Sequence, residues 1–126
     1  MVASVKTLLA VATTASAAVI DLPIVIKNSY ASVQFEVGTP PKEHRLYFDT
    51  GSSSAFMINT DCTETSCPDV VASYYTRQPY NASASSSAHD LQIPASIPYL
   101  GGDVAGGTFE DVFSVPSGIK WNQAFL

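Results

Sequence analysis

Between Ala31 and Val37 the side chains alternate without a break. Ala31, Val33, Phe35 and Val37 fall on one side of an extended chain, and Ser32, Gln34 and Glu36 on the other. Successive Cβ atoms of a strand point to opposite faces, so this period of two predicts a strand over residues 30–37 with one buried face. Such a strand needs partners. Gly38-Thr39-Pro40-Pro41 supplies a turn, and residues 44–48 then read as the return strand of a hairpin. Upstream, residues 19–26 are apolar and contain Pro23. Proline has no N–H for a ladder, so this stretch is predicted as an edge strand.

The return strand delivers its apolar run, Leu46-Tyr47-Phe48, into Asp49-Thr50-Gly51-Ser52-Ser53-Ser54. A carboxylate set against apolar strand residues is costly unless its charged form is hydrogen-bonded. Thr50, Ser52, Ser53 and the amides around Gly51 are suitable donors, and Gly51 permits the tight backbone that brings them round. Ala55-Phe56-Met57-Ile58 reads as another short strand. Residues 69–88 read as a loop, low in complexity from Tyr80 to Ser87. Residues 91–99 and 104–115 read as two strands around Leu100-Gly101-Gly102-Asp103, whose glycine pair permits positive φ, so a β-hairpin is expected.

Bulk properties exclude several classes. The 126 residues suffice for one small domain, and the net charge of −5 has its six Lys and Arg scattered singly. Nucleic-acid binding calls for a basic patch, so no nucleic-acid partner is expected. No apolar run approaches the ~20 residues of a membrane span. Residues 1–18 read as a secretory signal: one positive charge, a short apolar core at residues 8–12, and Ala15-Ser16-Ala17 as a small-x-small cleavage site. The alternative, an amphipathic N-terminal helix, lacks a polar face. A secreted product is therefore expected, with no membrane association after signal removal and residues 19–126 as one domain.

In that setting the two cysteines, Cys62 and Cys67, suggest a disulfide, whose short loop would contribute about 2 kcal/mol. Neither His44 nor His89 lies near them in sequence, so no metal site is expected. Asn81-Ala82-Ser83 is an N-glycosylation sequon. The run from Gly101 to Thr108 has the glycine spacing of a phosphate loop, but Gly107 stands where the lysine must be, and that reading is rejected.

The order strand, Gly-Thr-Pro turn, strand, apolar-apolar-Asp-Thr-Gly-Ser resembles the pepsin-like aspartic proteases. Phe56 falls where that family carries an aromatic residue. Cys62 and Cys67 match its small disulfide loop, and residues 80–87 resemble its aromatic-x-Pro-x-x-Ser-Ser-Thr segment with Ala82 in place of Pro. The resemblance covers residues 24–126. It implies an all-β fold, part of the N-terminal lobe of a bilobal acid protease, with Asp49 as one of two catalytic carboxylates. It further implies that Thr50 interlocks with its counterpart in the other lobe and that Ser52 hydrogen-bonds the carboxylate. Tyr99 would close over the substrate from a flap hairpin with Gly101 and Gly102, although Leu100 replaces the glycine usual after the tyrosine.

Two carboxylates sharing one water cannot both ionise easily, so one stays protonated while the other draws a proton from the water. No cofactor is implied. The remaining acids, Asp111 among them, lack an Asp-Thr-Gly or Asp-Ser-Gly setting and are expected as surface charge. The implied protein is thus an N-terminal fragment of an aspartic endopeptidase acting on peptides, needing the missing C-terminal lobe or a second copy for its other Asp. Two alternatives stay open: a half-size retropepsin-like homodimer, and a non-catalytic secreted β-domain or binding module.

Overall fold

The computed structural model describes residues 19–27, 29–62 and 78–126. The expected signal peptide and Cys67 lie outside them. Six strands form one antiparallel sheet: β1 (Ile24–Lys27), β2 (Tyr30–Val37), β3 (Lys42–Tyr47), β4 (His89–Tyr99), β5 (Gly102–Ser114) and β6 (Lys120–Phe125).

Two long strands organise the sheet. β2 carries β3 along one edge; its other edge takes β1 over Tyr30–Val33 and then β5 at Glu36 and Val37. β5 is paired with β4 along its N-terminal part and with β6 from Phe109 to Ser114 on the opposite edge. The molecule therefore consists of two hairpins, β2–β3 and β4–β5. The ladder between them has only two residue pairs, Glu36↔Ser114 and Val37↔Phe113.

The alternation in β2 does what its period requires. Val33 and Val37 are buried, and Phe35 packs on the core from the same face. That core is small and aromatic: Val37, Tyr80, Phe113 and Phe125, with Phe35, Leu46, Met57, Phe109 and Trp121 packed against it. The rings meet edge to face, Tyr80 on Phe125 at 5.0 Å and Phe113 on Phe125 at 5.5 Å between centroids, the arrangement that the ring quadrupoles favour.

β1 begins directly after Pro23 and pairs with β2 alone, as an edge strand should. Pro94 and Pro98, four residues apart and so on the same edge of β4, fit because β4 pairs on one edge only. The register of β4 breaks between Asp90 and Pro94. There Gln92 takes φ 56°, and its N–H donates to the Asp90 carboxylate at 2.8 Å.

Three expectations are corrected. Residues 55–58 form no strand; Met57 N–H donates to Leu126 O and Leu126 N–H to Ala55 O, and a pairing with a single residue is too short to build a ladder. Residues 78–88 are loop as expected, but not uniformly solvent-facing. They contain a 3-10 turn at Ala82–Ala84 and send Tyr80 into the core. Residues 120–125 form a strand the sequence reading missed, because Gln123 stands at an inward position between Trp121 and Phe125.

Candidate active site

β3 hands the chain to the candidate carboxylate. Its pairing with β2 extends one residue further through Phe48 N–H to Ala31 O at 2.9 Å, after which the backbone turns. Asp49 is half-buried, and the Gly51 N–H donates to its Oδ1 at 2.8 Å. A Cβ on Gly51 would lie 3.2 Å from that oxygen, so the absence of a side chain there allows the close approach. Among the described residues no hydroxyl of Thr50 or Ser52 bonds the carboxylate. Thr50 is exposed and Ser52 half-buried beside it.

The second hairpin meets this loop from the side. Tyr99 closes β4, pairs with Gly102, and leaves a two-residue turn of Leu100 and Gly101. Gly102 takes φ +145°, a conformation that favours glycine, and Leu100 is fully exposed at the tip. The Tyr99 ring rests edge-on against Phe56, with centroids 6.1 Å apart. Phe56 lies on the segment leaving the Asp49 loop. This contact joins the tip of one hairpin to the segment that follows the acid at the end of the other. Nearby, Ser53, Ala55, Ile97, Thr108, Phe125 and Leu126 line an open groove of about 240 Å³. Its walls combine apolar side chains with the hydroxyls of Ser53 and Thr108.

Asp111 departs most from the sequence reading. Expected as surface charge, it is 1% exposed. Its Oδ1 accepts from Ser87 Oγ at 2.6 Å and from the Val112 N–H at 2.8 Å, and its Oδ2 accepts from the Tyr80 hydroxyl at 2.9 Å. Burial alone would raise its pKa, but the donors on Ser87, Val112, Ser85 and Tyr80 outweigh it and hold the carboxyl below the usual carboxylate range. Burial, and then the hydrogen bond to that carboxylate, push the Tyr80 hydroxyl well above the usual tyrosine range. His44, also buried, is held below its ordinary value by burial and by the charge of Lys42; the Gln78 carbonyl at 3.1 Å from its Nδ1 opposes this. The signal for Asp111 was present: it shares parity with Phe109 and Phe113 in β5, an acid standing at an apolar position.

Asn81 is exposed and caps the 3-10 turn, its Oδ1 accepting from the Ser83 N–H at 3.1 Å. Cys62 is half-buried, and Cys67 lies outside the described residues. Among the described residues no group of three His, Cys, Asp or Glu could hold a metal, and no helix is long and apolar enough to cross a membrane.

An all-β hairpin pair that ends one hairpin on Asp-Thr-Gly and leans the other against it defines an aspartic-protease-like half-lobe. The family model of the eukaryotic aspartyl proteases matches residues 29–126, and the chain belongs to that family. It is 32% identical over 89 residues to pregnancy-associated glycoprotein 2 of Bos taurus, covering 71% of this chain and 22% of that protein. It is 34% identical over 89 residues to embryonic pepsinogen of Gallus gallus, covering 71% and 21%. With phytepsin of Hordeum vulgare it shares 32% identity over 108 residues, covering 82% and 20%. The chain thus spans about a fifth of the length of these curated relatives.

Proposed function

We propose that this chain carries one half of the active site of an aspartic endopeptidase. Asp49 supplies one of the two carboxylates, and the second comes from polypeptide outside these 126 residues. The observation carrying this reading is the Asp49 loop itself: a half-buried carboxylate fixed by the Gly51 amide, with the Tyr99 hairpin resting on the segment that leaves it. In the complete site the ionised carboxylate takes a proton from a shared water. The water attacks the peptide carbonyl, and the protonated partner gives its proton towards the departing amine, so the two acids exchange roles without a covalent intermediate. Thr50 and Ser52 serve as support for that loop. Tyr99, with Gly101 and Gly102, contacts the bound peptide from above.

Residues 1–18 act as a secretory signal in this reading. Cys62 and Cys67 pair, and Asn81 accepts a glycan through a side-chain amide on an exposed turn. The substrate is a peptide or protein. With one carboxylate the 126-residue chain is inactive by itself.

The test compares peptide hydrolysis at acid pH by the 126-residue chain and by the product of a transcript extended downstream. No turnover is expected from the former. Pepstatin-sensitive turnover is expected from the latter, falling on the order of a thousandfold or more in Asp49→Asn. Full activity in the extended Asp49→Asn protein would overturn the assignment. Pepstatin-sensitive cleavage by the short chain, lost in Asp49→Asn, would instead establish the half-size homodimer.

A further inference from the structure

The hairpin that carries Asp49 and the hairpin that carries Tyr99 share a ladder of two residue pairs. So short an edge is a weak hold taken alone, and it is reinforced on the core side by Phe35 against Phe113 at 5.8 Å between centroids. Around it lies a polar cluster with contributions from three separate segments. From the turn between β2 and β3, Gly38 N–H donates to Val112 O at 2.9 Å, and the Thr39 N–H donates to Ser85 Oγ at 2.9 Å. Thr39 Oγ1 lies 2.7 Å from Ser87 Oγ. From the loop, Ser86 N–H donates to Thr39 O at 2.8 Å, while Ser87 and Tyr80 donate to Asp111. From β5, Asp111 accepts the Ser87 and Tyr80 hydroxyls at the centre and is itself buried, and the turn reaches it through Ser87, whose Oγ meets Thr39 Oγ1. Gly38 fits this crowding closely: a Cβ there would lie 2.9 Å from Ser85 Oγ and 3.3 Å from Asp111 Oδ2.

We propose that Asp111 is a positioning residue, the acid-sensitive joint that locks the Asp49 hairpin to the Tyr99 hairpin, and that its protonation releases the turn at residues 38–41 from β5. Among the described residues no Lys or Arg hydrogen-bonds or ion-pairs with Asp111, so neutral donors alone hold its charge. A proton placed on the carboxyl removes acceptor capacity from the Ser87 and Tyr80 hydroxyls and the Val112 N–H, and the serine that ties Thr39 to β5 loses its anchor. The titratable groups facing the joint are few. The loop brings Tyr80 and β3 brings His44, whose ring lies 6.4 Å from that of Tyr80. β2 brings Glu36, which accepts from Ser114 Oγ. β5 adds Glu110 next to Asp111, and β6 sets uncharged Gln123 opposite it. The release is local, because the β4–β5 and β2–β3 ladders do not pass through Asp111.

Native-state hydrogen exchange on the 126-residue chain at pH 6 tests this. In Asp111→Asn the amides of Gly38, Thr39 and Ser86, which bond Val112 O, Ser85 Oγ and Thr39 O around the joint, should exchange about tenfold or more faster, because the opening they share becomes easier once Ser87 and Tyr80 lose a charged acceptor. Amides inside the β4–β5 hairpin, such as Ala105, should keep their wild-type rates. Should Asp111→Asn fail to fold, Ser87→Ala and Tyr80→Phe must show the same selective acceleration. Unchanged joint amides, or uniform acceleration everywhere, would overturn the proposal. So would failure of all three variants to fold, since the cluster would then hold the whole fold rather than a joint. On the wild type and on His44→Gln, lowering the pH stepwise below 3.8, the ordinary value beneath which Asp111 is held, should free the joint amides before the hairpin amides, after correction for intrinsic rates. Simultaneous release in both would overturn it equally.

Discussion

Replacing Phe125 by alanine should cost this protein most of its stability. The ring is 4% exposed and touches Tyr80 and Phe113 at centroid distances of 5.0 and 5.5 Å, so it joins the loop residue of the core to the residue from β5. A Phe→Ala change at such a site costs about 3–5 kcal/mol, counting both lost transfer energy and the cavity. Globular chains hold roughly 0.05–0.15 kcal/mol per residue. A core centred on four buried side chains places this one at the low end, on the order of 6 kcal/mol. Phe125→Ala should therefore keep only about 1–3 kcal/mol of stability, and Phe125→Leu, which keeps most of the volume, should lose less than half as much. Urea unfolding followed by far-UV circular dichroism and by Trp121 fluorescence measures both. Ile93→Ala, at 59% exposure, is the control and should stay within about 0.5 kcal/mol of wild type. A Phe125→Ala protein within 1 kcal/mol of wild type would show that the aromatic cluster does not hold the sheet together.

Further outcomes follow from the same structure. Gly38→Ala should destabilise by roughly 2–5 kcal/mol, from a positive φ that L side chains rarely adopt and from the clash with Ser85. Gly102→Ala, with positive φ but open space around it, should cost only the backbone strain; equal urea midpoints for the two would refute the packing argument. His44 is held below its ordinary value of 6.5, so the unfolded chain takes up a proton first. Stability should thus fall as pH drops below about 6.5 towards the lower folded value, and His44→Gln should flatten that window. Asp111 is likewise held below its ordinary 3.8. Its contribution is present above that value and disappears only as pH falls from there through the folded one, a second and more acidic limb absent from Asp111→Asn. Both limbs are read from urea midpoints across a pH series.

What the sequence disclosed was what is local. The alternation from Ala31 to Val37, the turn at residues 38–41 and the Gly101-Gly102 reversal each lie within a few residues, and the strands they predict are present at β2, β3, β4 and β5. The hairpin loop came out shorter than its Leu-Gly-Gly-Asp spelling suggested, because the ladder closes up to Tyr99 and Gly102. Of the Asp49 loop the Gly51 donor was legible for the same reason, since it lies two residues from the carboxylate, whereas the expected hydroxyl bonds from Thr50 and Ser52 are absent among the described residues. Hidden from a linear reading were partnerships across distance. Asp111 finds its donors on Tyr80 and Ser87, and residues 80–87 are so rich in Ala and Ser that they resemble solvent-facing chain. The strand at Lys120–Phe125 was masked by Asn122 and Gln123, amides whose place is set by the neighbouring strand and not by their own polarity.

The reliance on Phe125 and Leu126 has a consequence for how the chain is made. Phe125 closes the aromatic cluster, and the backbone of Leu126 clasps Ala55 and Met57. On a ribosome emitting residues one by one, the aromatic cluster stays open on the Phe125 side until that stretch has left the exit tunnel. During that wait the Ile24–Lys27 edge, exposed at every residue, lies open to any passing strand. Translation speed over residues 109–126 would then govern how much of the nascent protein reaches its own fold before it meets a neighbour.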